Sequence, residues 1–161
     1  KKIANQYNLS SINFASGNSS NVESEMIAII EAKDKTYSPL ALYFLIDNKI
    51  VNSKEKINSF FDIIIEEINL DKEIKNLNIY KKALYNSDFE TENNLLKILN
   101  PVINSESIWK SHALYLLAEY FYSKNEMQKS KEFFEKILVL ENSNSSIKIE
   151  TQKRIQRDFS E

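Results

Sequence analysis

Residues 111–140 carry the pattern that decides the fold, and they read SHALYLLAEYFYSKNEMQKSKEFFEKILVL. The first half is apolar nearly all the way round a helix, which is typical of a helix that packs on two sides. The second half places Ser130, Phe134 and Ile137 at a spacing of four and then three. This spacing keeps one small and two large side chains on a single helical face. The stretch therefore predicts two helices that pack against each other across a short polar turn.

The same spacing recurs earlier in the chain. Two further sets consist of Val22, Met26 and Ile29, and of Ile57, Phe61 and Ile64. These sets lie 35 residues apart, and the gap from the second set to the Ser130 set is 73 residues. One more set is expected near residue 94, where Leu96 and Leu99 fit but Glu92 occupies the first position. A period of this length is typical of stacked helical hairpins.

One glycine and two prolines in 161 residues are too few for the turns of a β-sandwich or a glycine-rich nucleotide loop. Nine helices are predicted, at about 2–16, 20–33, 38–50, 53–69, 72–86, 89–100, 107–123, 126–141 and 146–159. The expected domain is a single unit spanning 1–161, with hairpins at about 1–34, 35–70, 71–104 and 105–142. The last helix is mostly polar, and it is predicted to cap the array through Ile147, Ile155 and Phe159.

The residue types that carry most catalytic chemistry are sparse. The chain has no cysteine, which excludes disulfides, thiolate zinc sites and a cysteine nucleophile. His112 is the single histidine, and no HExxH, GxSxG or phosphate-binding loop motif occurs. We therefore expect no enzymatic activity, no cofactor and no metal site. A net charge of −2 gives no reason to expect nucleic acid or an anionic membrane as a partner.

A candidate partner-binding surface lies on the seventh predicted helix. By helical spacing, His112, Tyr115, Glu119 and Tyr122 share a face that the core positions do not use. In a helical solenoid the first helices of the hairpins line a concave groove, and tyrosine anchors partners well there. The alternative interpretation is that Tyr115 and Tyr122 pack against the fifth or the ninth helix.

Residues 111–140 resemble one tetratricopeptide repeat (TPR). The matching positions are Leu114, Leu117, Ala118 and Phe121 in the first helix, and Ser130, Phe134 and Ile137 in the second. The usual tryptophan, glycine and terminal proline of that repeat are not kept. The resemblance implies an all-α, right-handed α-solenoid of about four TPR-like helix hairpins, followed by the C-terminal capping helix.

Over most of its length the chain also resembles the periplasmic domain of the TPR-like ancillary subunit of the bacterial Sec translocon, in its alphaproteobacterial form. The segments that carry this resemblance are 37–42, 77–84, 96–101 and 108–118. It implies a non-catalytic adaptor of a single-pass inner-membrane protein, which links translocon subunits and periplasmic chaperones. Lys1 and Lys2 would then follow the membrane helix, so that the membrane is contacted only through a segment outside this chain.

The sequence is also compatible with other interpretations. One is a soluble or lipid-anchored TPR protein of cell-envelope assembly, and another is a helical enzyme or a helical binder of a small ligand. A cytoplasmic location is the alternative to the periplasm. Homo-oligomerisation through an exposed apolar face is a further alternative.

Overall fold

The computed structural model describes residues 1–160, and this part of the chain is helical without strands, which confirms the predicted all-α class. The helices are α1 (Lys2–Ala15), α2 (Val22–Glu31), α3 (Tyr37–Asp47), α4 (Lys54–Asp62), α5 (Lys72–Asn86), α6 (Glu92–Ile103), α7 (Lys110–Ser123), α8 (Met127–Leu138) and α9 (Ser145–Asp158). Helix α4 continues into a π-helical turn, Ile63–Glu67. When this turn is counted with α4, the ends of the helices lie within about three residues of the predicted ones. None of these described helices is long and apolar enough to cross a bilayer.

Local sequence sets several helix ends. The side-chain oxygens of Ser53, Thr91 and Asn144 accept hydrogen bonds from backbone N–H groups in the first turns of α4, α6 and α9. Such caps satisfy donors that have no partner inside the helix. Helix α1 is followed by Gly17 at a φ of +84°. This left-handed conformation is accessible to glycine because it has no Cβ, and it ends the helix.

The chain divides into two compact units, of which the first is Lys1–Asp71 and the second begins at Lys72. In the first unit, α2 packs against α1 and α3, and α3 also contacts α4. The rings of Tyr7 and Phe14 on α1 lie 6.2 Å and 5.4 Å from the ring of Phe44 on α3. These edge-on contacts attach the first helix to the third.

In the second unit α7 is the central helix, because it contacts α5, α6, α8 and α9. Its residues Leu114 and Ala118 form a buried cluster with Phe134 and Ile137 of α8. The predicted apolar edge of α9 packs against this cluster through Ile147, Ile155 and Phe159. A helix that is apolar on most of its circumference is thus covered on several sides, as its sequence predicts.

The third set of repeated positions differs from its prediction. Leu95, Leu99 and Val102 are each 0% exposed, whereas Glu92 and Leu96 are only partly buried. The set therefore begins at Leu95, and Leu99 is its second member rather than its third. The predicted helix ended at residue 100 and so omitted Val102, but α6 continues through Pro101 to Ile103. With this correction the four buried sets begin at residues 22, 57, 95 and 130.

A second repeated position lies twelve residues before each set. The four residues there are fully buried, and they are Ser10, Leu45, Ala83 and Ala118. They belong to the first helix of each predicted hairpin, and three of them are small. In the last hairpin the Ser130 hydroxyl donates a 2.7 Å hydrogen bond to the backbone oxygen of Ala118. Small residues at both positions let α7 and α8 approach closely.

In each unit, an ion pair made by a lysine at the same repeat position joins the second helices of neighbouring predicted hairpins. In the first unit Lys56 of α4 lies 2.9 Å from the carboxylate of Glu23 on α2. In the second unit Lys129 of α8 lies 3.1 Å from the carboxylate of Glu92 on α6. Each lysine lies one residue before the first buried residue of its set, Ile57 or Ser130. Both units therefore use this lysine position to join α2 to α4 and α6 to α8.

Candidate functional site

The predicted binding face of α7 lies against α9, around the side chain of Arg154. This arginine is only 9% exposed. Its Nη1 lies 3.3 Å from Oε1 of Glu119 and 3.4 Å from the hydroxyl of Tyr115. The guanidinium carbon is 5.0 Å from the ring centroid of Tyr122. Three of the four predicted site residues therefore surround one cation, which is contributed by the capping helix.

Asp158 completes this ionic group. Nε of Arg154 donates a 2.7 Å hydrogen bond to Oδ2 of Asp158, one helical turn further along α9. The guanidinium groups of Arg157 and Arg154 hold the pKa of Asp158 well below its ordinary value. The carboxylate therefore stays ionised across the neutral and mildly acidic range. The hydrogen bond from Nε to this carboxylate orients the Arg154 side chain toward α7.

Aromatic contacts bring the two tyrosines of this face into the core between α7, α8 and α9. The ring of Tyr115 meets that of Phe134 edge-on at 5.4 Å, and the ring of Tyr122 meets that of Phe159 at 6.0 Å. Burial raises the pKa of Tyr115. These contacts agree with the alternative interpretation of the sequence, in which the two tyrosines pack against neighbouring helices. Tyr122 lies against Phe159 at the end of α9. Glu119 remains exposed over 48% of its side chain.

His112 is separated from the other three residues and lies in an aromatic cluster. Its ring is 5.0 Å from that of Trp109 and 5.7 Å from that of Tyr80 on α5. The Nδ1 atom is buried and has no hydrogen-bond partner among the described residues. Burial lowers the pKa of His112, because the charged imidazolium would lose hydration there. The imidazole is therefore neutral at physiological pH.

Sequence reasoning missed Arg154, because the only contacts predicted for the mostly polar last helix were those of its apolar edge, Ile147, Ile155 and Phe159. A signal was present in the spacing. Thr151, Arg154 and Asp158 fall at intervals of three and four, so they share a helical face that begins at the buried Thr151. A positively charged residue on such a face pairs with a carboxylate when it is buried.

The geometry of this region serves packing and ion pairing. Within residues 1–160, no group of three or more histidine, aspartate and glutamate side chains is arranged to hold a metal ion. Comparisons with protein-family models, curated proteins and solved structures give no match for this chain.

Proposed function

We propose that this chain is a non-catalytic protein-interaction domain, built as a right-handed α-solenoid of about four TPR-like hairpins with α9 as the capping helix. The observation that carries the proposal is the repeated burial at residues 22, 57, 95 and 130. Each of these positions opens a set with the same four-then-three spacing. Repeats of this kind bury one another's apolar faces and expose long surfaces to partners.

The proposed context is the bacterial inner membrane, where the domain acts in the periplasm as an adaptor between the Sec translocon and periplasmic chaperones. The resemblance of segments 37–42 and 108–118 to the ancillary subunit of that translocon supports this context. The near balance of 21 basic and 23 acidic residues supports a protein rather than a nucleic acid as partner.

The proposed contact surface is the part of the α7 face that α9 leaves open. Glu119 is the most accessible of the four residues, and Tyr115 and Tyr122 are partly exposed beside it. Partly exposed tyrosines next to a charged rim are common at protein interfaces. A partner that binds here contacts the edge formed by α7 and α9 together.

Photo-crosslinking in envelope membranes tests this proposal directly. A photoreactive amino acid is placed at Glu119 in the full-length natural protein, and a control carries it at the exposed Glu135 on α8. We expect translocon subunits or periplasmic chaperones to crosslink at Glu119 much more than at Glu135. Recovery of no secretion or chaperone component from either position would overturn the proposal.

Sequencing the gene for any segment that precedes Lys1 would separate this context from its main alternative. A hydrophobic segment of ~20 residues is long enough to anchor the domain in the inner membrane. A cleavable signal followed by a lipidated cysteine would instead support a lipid-anchored protein of envelope assembly. In both cases the domain remains an interaction module, so only the anchoring and the set of partners would change.

A further inference from the structure

A cleft in the second unit lies beside the beginning of α7 and the end of α8. Its volume is about 390 Å³, and it is open to solvent. The start of α5, the loop before α7 and the turn after α8 all contribute residues to its lining. Three segments of the chain therefore converge on one concavity, at a place separate from the face that Arg154 occupies. Concave sites of this size are where proteins commonly take up ligands or side chains of partners.

The walls of this cleft expose apolar side chains to water. Ile108 is 64% exposed and Val139 is 81% exposed, and both line the cleft together with the partly buried Leu140. Neither exposed side chain belongs to the buried core cluster of this unit, which contains Leu114 and Ile137. Apolar side chains that converge around a concavity mark an interaction site more often than isolated ones do.

The charge around the cleft is predominantly negative. Glu73, Glu106 and Glu141 line it, against a single positive residue, Lys110. Glu73 is already engaged, because its carboxylate accepts hydrogen bonds from the Ser107 hydroxyl at 2.8 Å and the Ile108 backbone at 3.2 Å.

Two of these carboxylates have no partner within the described chain. Those of Glu106 and Glu141 make no ion pair and no hydrogen bond with any residue of the described chain. The ammonium group of Lys72 binds the backbone oxygen of Glu106, at 2.7 Å, rather than its carboxylate. The rim therefore favours a cationic ligand.

The floor of the cleft includes a buried hydroxyl group. Ser111 is 2% exposed, and its Oγ accepts a 3.2 Å hydrogen bond from the backbone N–H of Asn144. The Ser111 hydroxyl donates to no acceptor among residues 1–160. A ligand that brings a carbonyl oxygen would accept a hydrogen bond from this hydroxyl, which already accepts one from Asn144. A polypeptide backbone supplies such an oxygen at every residue.

We propose that this cleft binds a short segment of a partner protein in which an apolar side chain is flanked by lysine or arginine. The apolar side chain contacts Ile108 and Val139, while the basic residues face Glu106 and Glu141. A second copy of the chain is less complementary, because its net charge is −2. The inference rests on the proposed role as a protein-interaction domain, but it assigns a surface distinct from the α7–α9 edge.

The test uses the purified chain and a short fluorescein-labelled peptide that alternates leucine and lysine. Matched peptides replace the lysines with glutamate or the leucines with serine. Fluorescence anisotropy gives the affinity, and ¹⁵N NMR maps the site. We expect only the leucine–lysine peptide to bind, with shifts of the Ser111, Val139 and Asn142 amides and an affinity that falls as salt screens the rim charges.

Two substitutions test which residues of the cleft contribute to the binding free energy. Val139→Ser should weaken the leucine–lysine peptide roughly fivefold, since most of one valine side chain loses its apolar contact. Glu141→Gln should weaken it roughly twofold to threefold at low salt, as for an exposed ion pair. Both positions are exposed, so neither variant should affect folding. The matched controls are Ile149→Ser and Glu135→Gln, which change exposed residues away from the cleft and should leave the affinity unaltered.

Several results would overturn this inference. One is equal affinity of the chain for the leucine–lysine and the glutamate peptides, and another is a set of NMR shifts confined to other surfaces. The remaining two are absence of binding by all three peptides, and a dimer, detected by light scattering, whose interface covers the cleft. Because the measurement uses purified components, it is independent of the crosslinking in membranes. Failure of the translocon assignment would therefore leave this result standing, and the reverse also holds.

Discussion

Arg154 of α9 donates a hydrogen bond to Glu119 of α7 across 3.3 Å, and this contact joins the two helices beside their apolar packing. The arginine is buried against the rings of Tyr122 and Phe134, whose centroids are 5.0 Å and 5.1 Å from its guanidinium carbon. A desolvated cation over aromatic faces is held more strongly than one at the surface. The position of α9 therefore depends on one polar side chain as well as on apolar packing.

Replacing this arginine should loosen the last helix. Arg154→Met keeps an apolar stem of similar length but removes the hydrogen bonds to Glu119, Tyr115 and Asp158. We expect the free energy of unfolding to fall by roughly 1–3 kcal/mol, because hydrogen bonds of a charged group are lost. Urea denaturation followed by circular dichroism measures this change, and hydrogen exchange should show faster opening of α9.

The control for this variant is Lys153→Met, which removes the charge of the exposed neighbour on the same helix. It should change the free energy of unfolding by no more than about 0.5 kcal/mol. If Arg154→Met and Lys153→Met lower the free energy of unfolding equally, the loss comes from the positive charge of α9 in general and not from the contacts of Arg154.

The corrected position of the third repeat is tested by two adjacent leucines. Leu95 is fully buried and Leu96 is partly exposed. Leu95→Ala should lower the free energy of unfolding by roughly 2–5 kcal/mol, since it leaves a cavity in the core. Leu96→Ala should cost clearly less. Thermal and urea denaturation of the two variants provide the comparison, and a larger loss for Leu96→Ala would restore the alignment through Glu92.

The serine at the beginning of the last set contributes through its hydroxyl. Ser130→Ala removes the 2.7 Å hydrogen bond to the backbone oxygen of Ala118 and leaves that buried acceptor without this partner. We expect a loss of about 1 kcal/mol in the free energy of unfolding. Ser24→Ala is the matched control, because its 3.0 Å bond to Asn21 is exposed. An equal loss in both variants would mean that burial of the hydroxyl has no effect.

The single histidine predicts a pH dependence with a definite sign. Burial lowers the pKa of His112 in the folded chain, whereas in the unfolded chain it titrates near the ordinary value of about 6.5. As the pH falls below about 6.5, the unfolded chain gains a proton that the folded chain does not take up. The stability is therefore full above this pH and decreases below it, until the folded imidazole also titrates.

NMR titration of the His112 imidazole measures the folded pKa without overlap, because no other histidine is present. Urea denaturation at about pH 7.5 and pH 5.5 measures the loss of stability. His112→Phe keeps a ring against Trp109 and Tyr80 and should remove most of this pH dependence. A folded pKa at or above 6.5 would contradict the argument.

Hydrophobic spacing was sufficient to predict the helices, because each buries a continuous apolar stripe. Val22, Met26 and Ile29 are fixed to one face by their intervals, and the structure buries all three. The third set was misaligned because Leu95 and Leu96 are adjacent and either one fits the pattern. Helix ends were harder, since Pro101 suggested an end where α6 continues.

The candidate site was less predictable than the helices. Spacing placed Tyr115, Glu119 and Tyr122 on one face, and they do lie together. It did not reveal that Arg154 occupies this face, because that depends on how α9 is oriented on α7. His112 lies slightly further round the helix, where Trp109 and Tyr80 are closer. Such differences arise from tertiary packing, because spacing places Arg154 on one face with Thr151 and Asp158 but does not specify which helix that face meets.

The four buried sets fall into two pairs with the same internal spacing. The sets at 95 and 130 lie 73 residues after those at 22 and 57, and Phe60, Phe61 and Ile64 recur at the same offset as Phe133, Phe134 and Ile137. The boundary between the two compact units falls after Asp71, close to this length. Buried residues 73 positions apart are therefore counterparts in the two halves, so that Leu99 corresponds to Met26 and a substitution in one half has a matched site in the other.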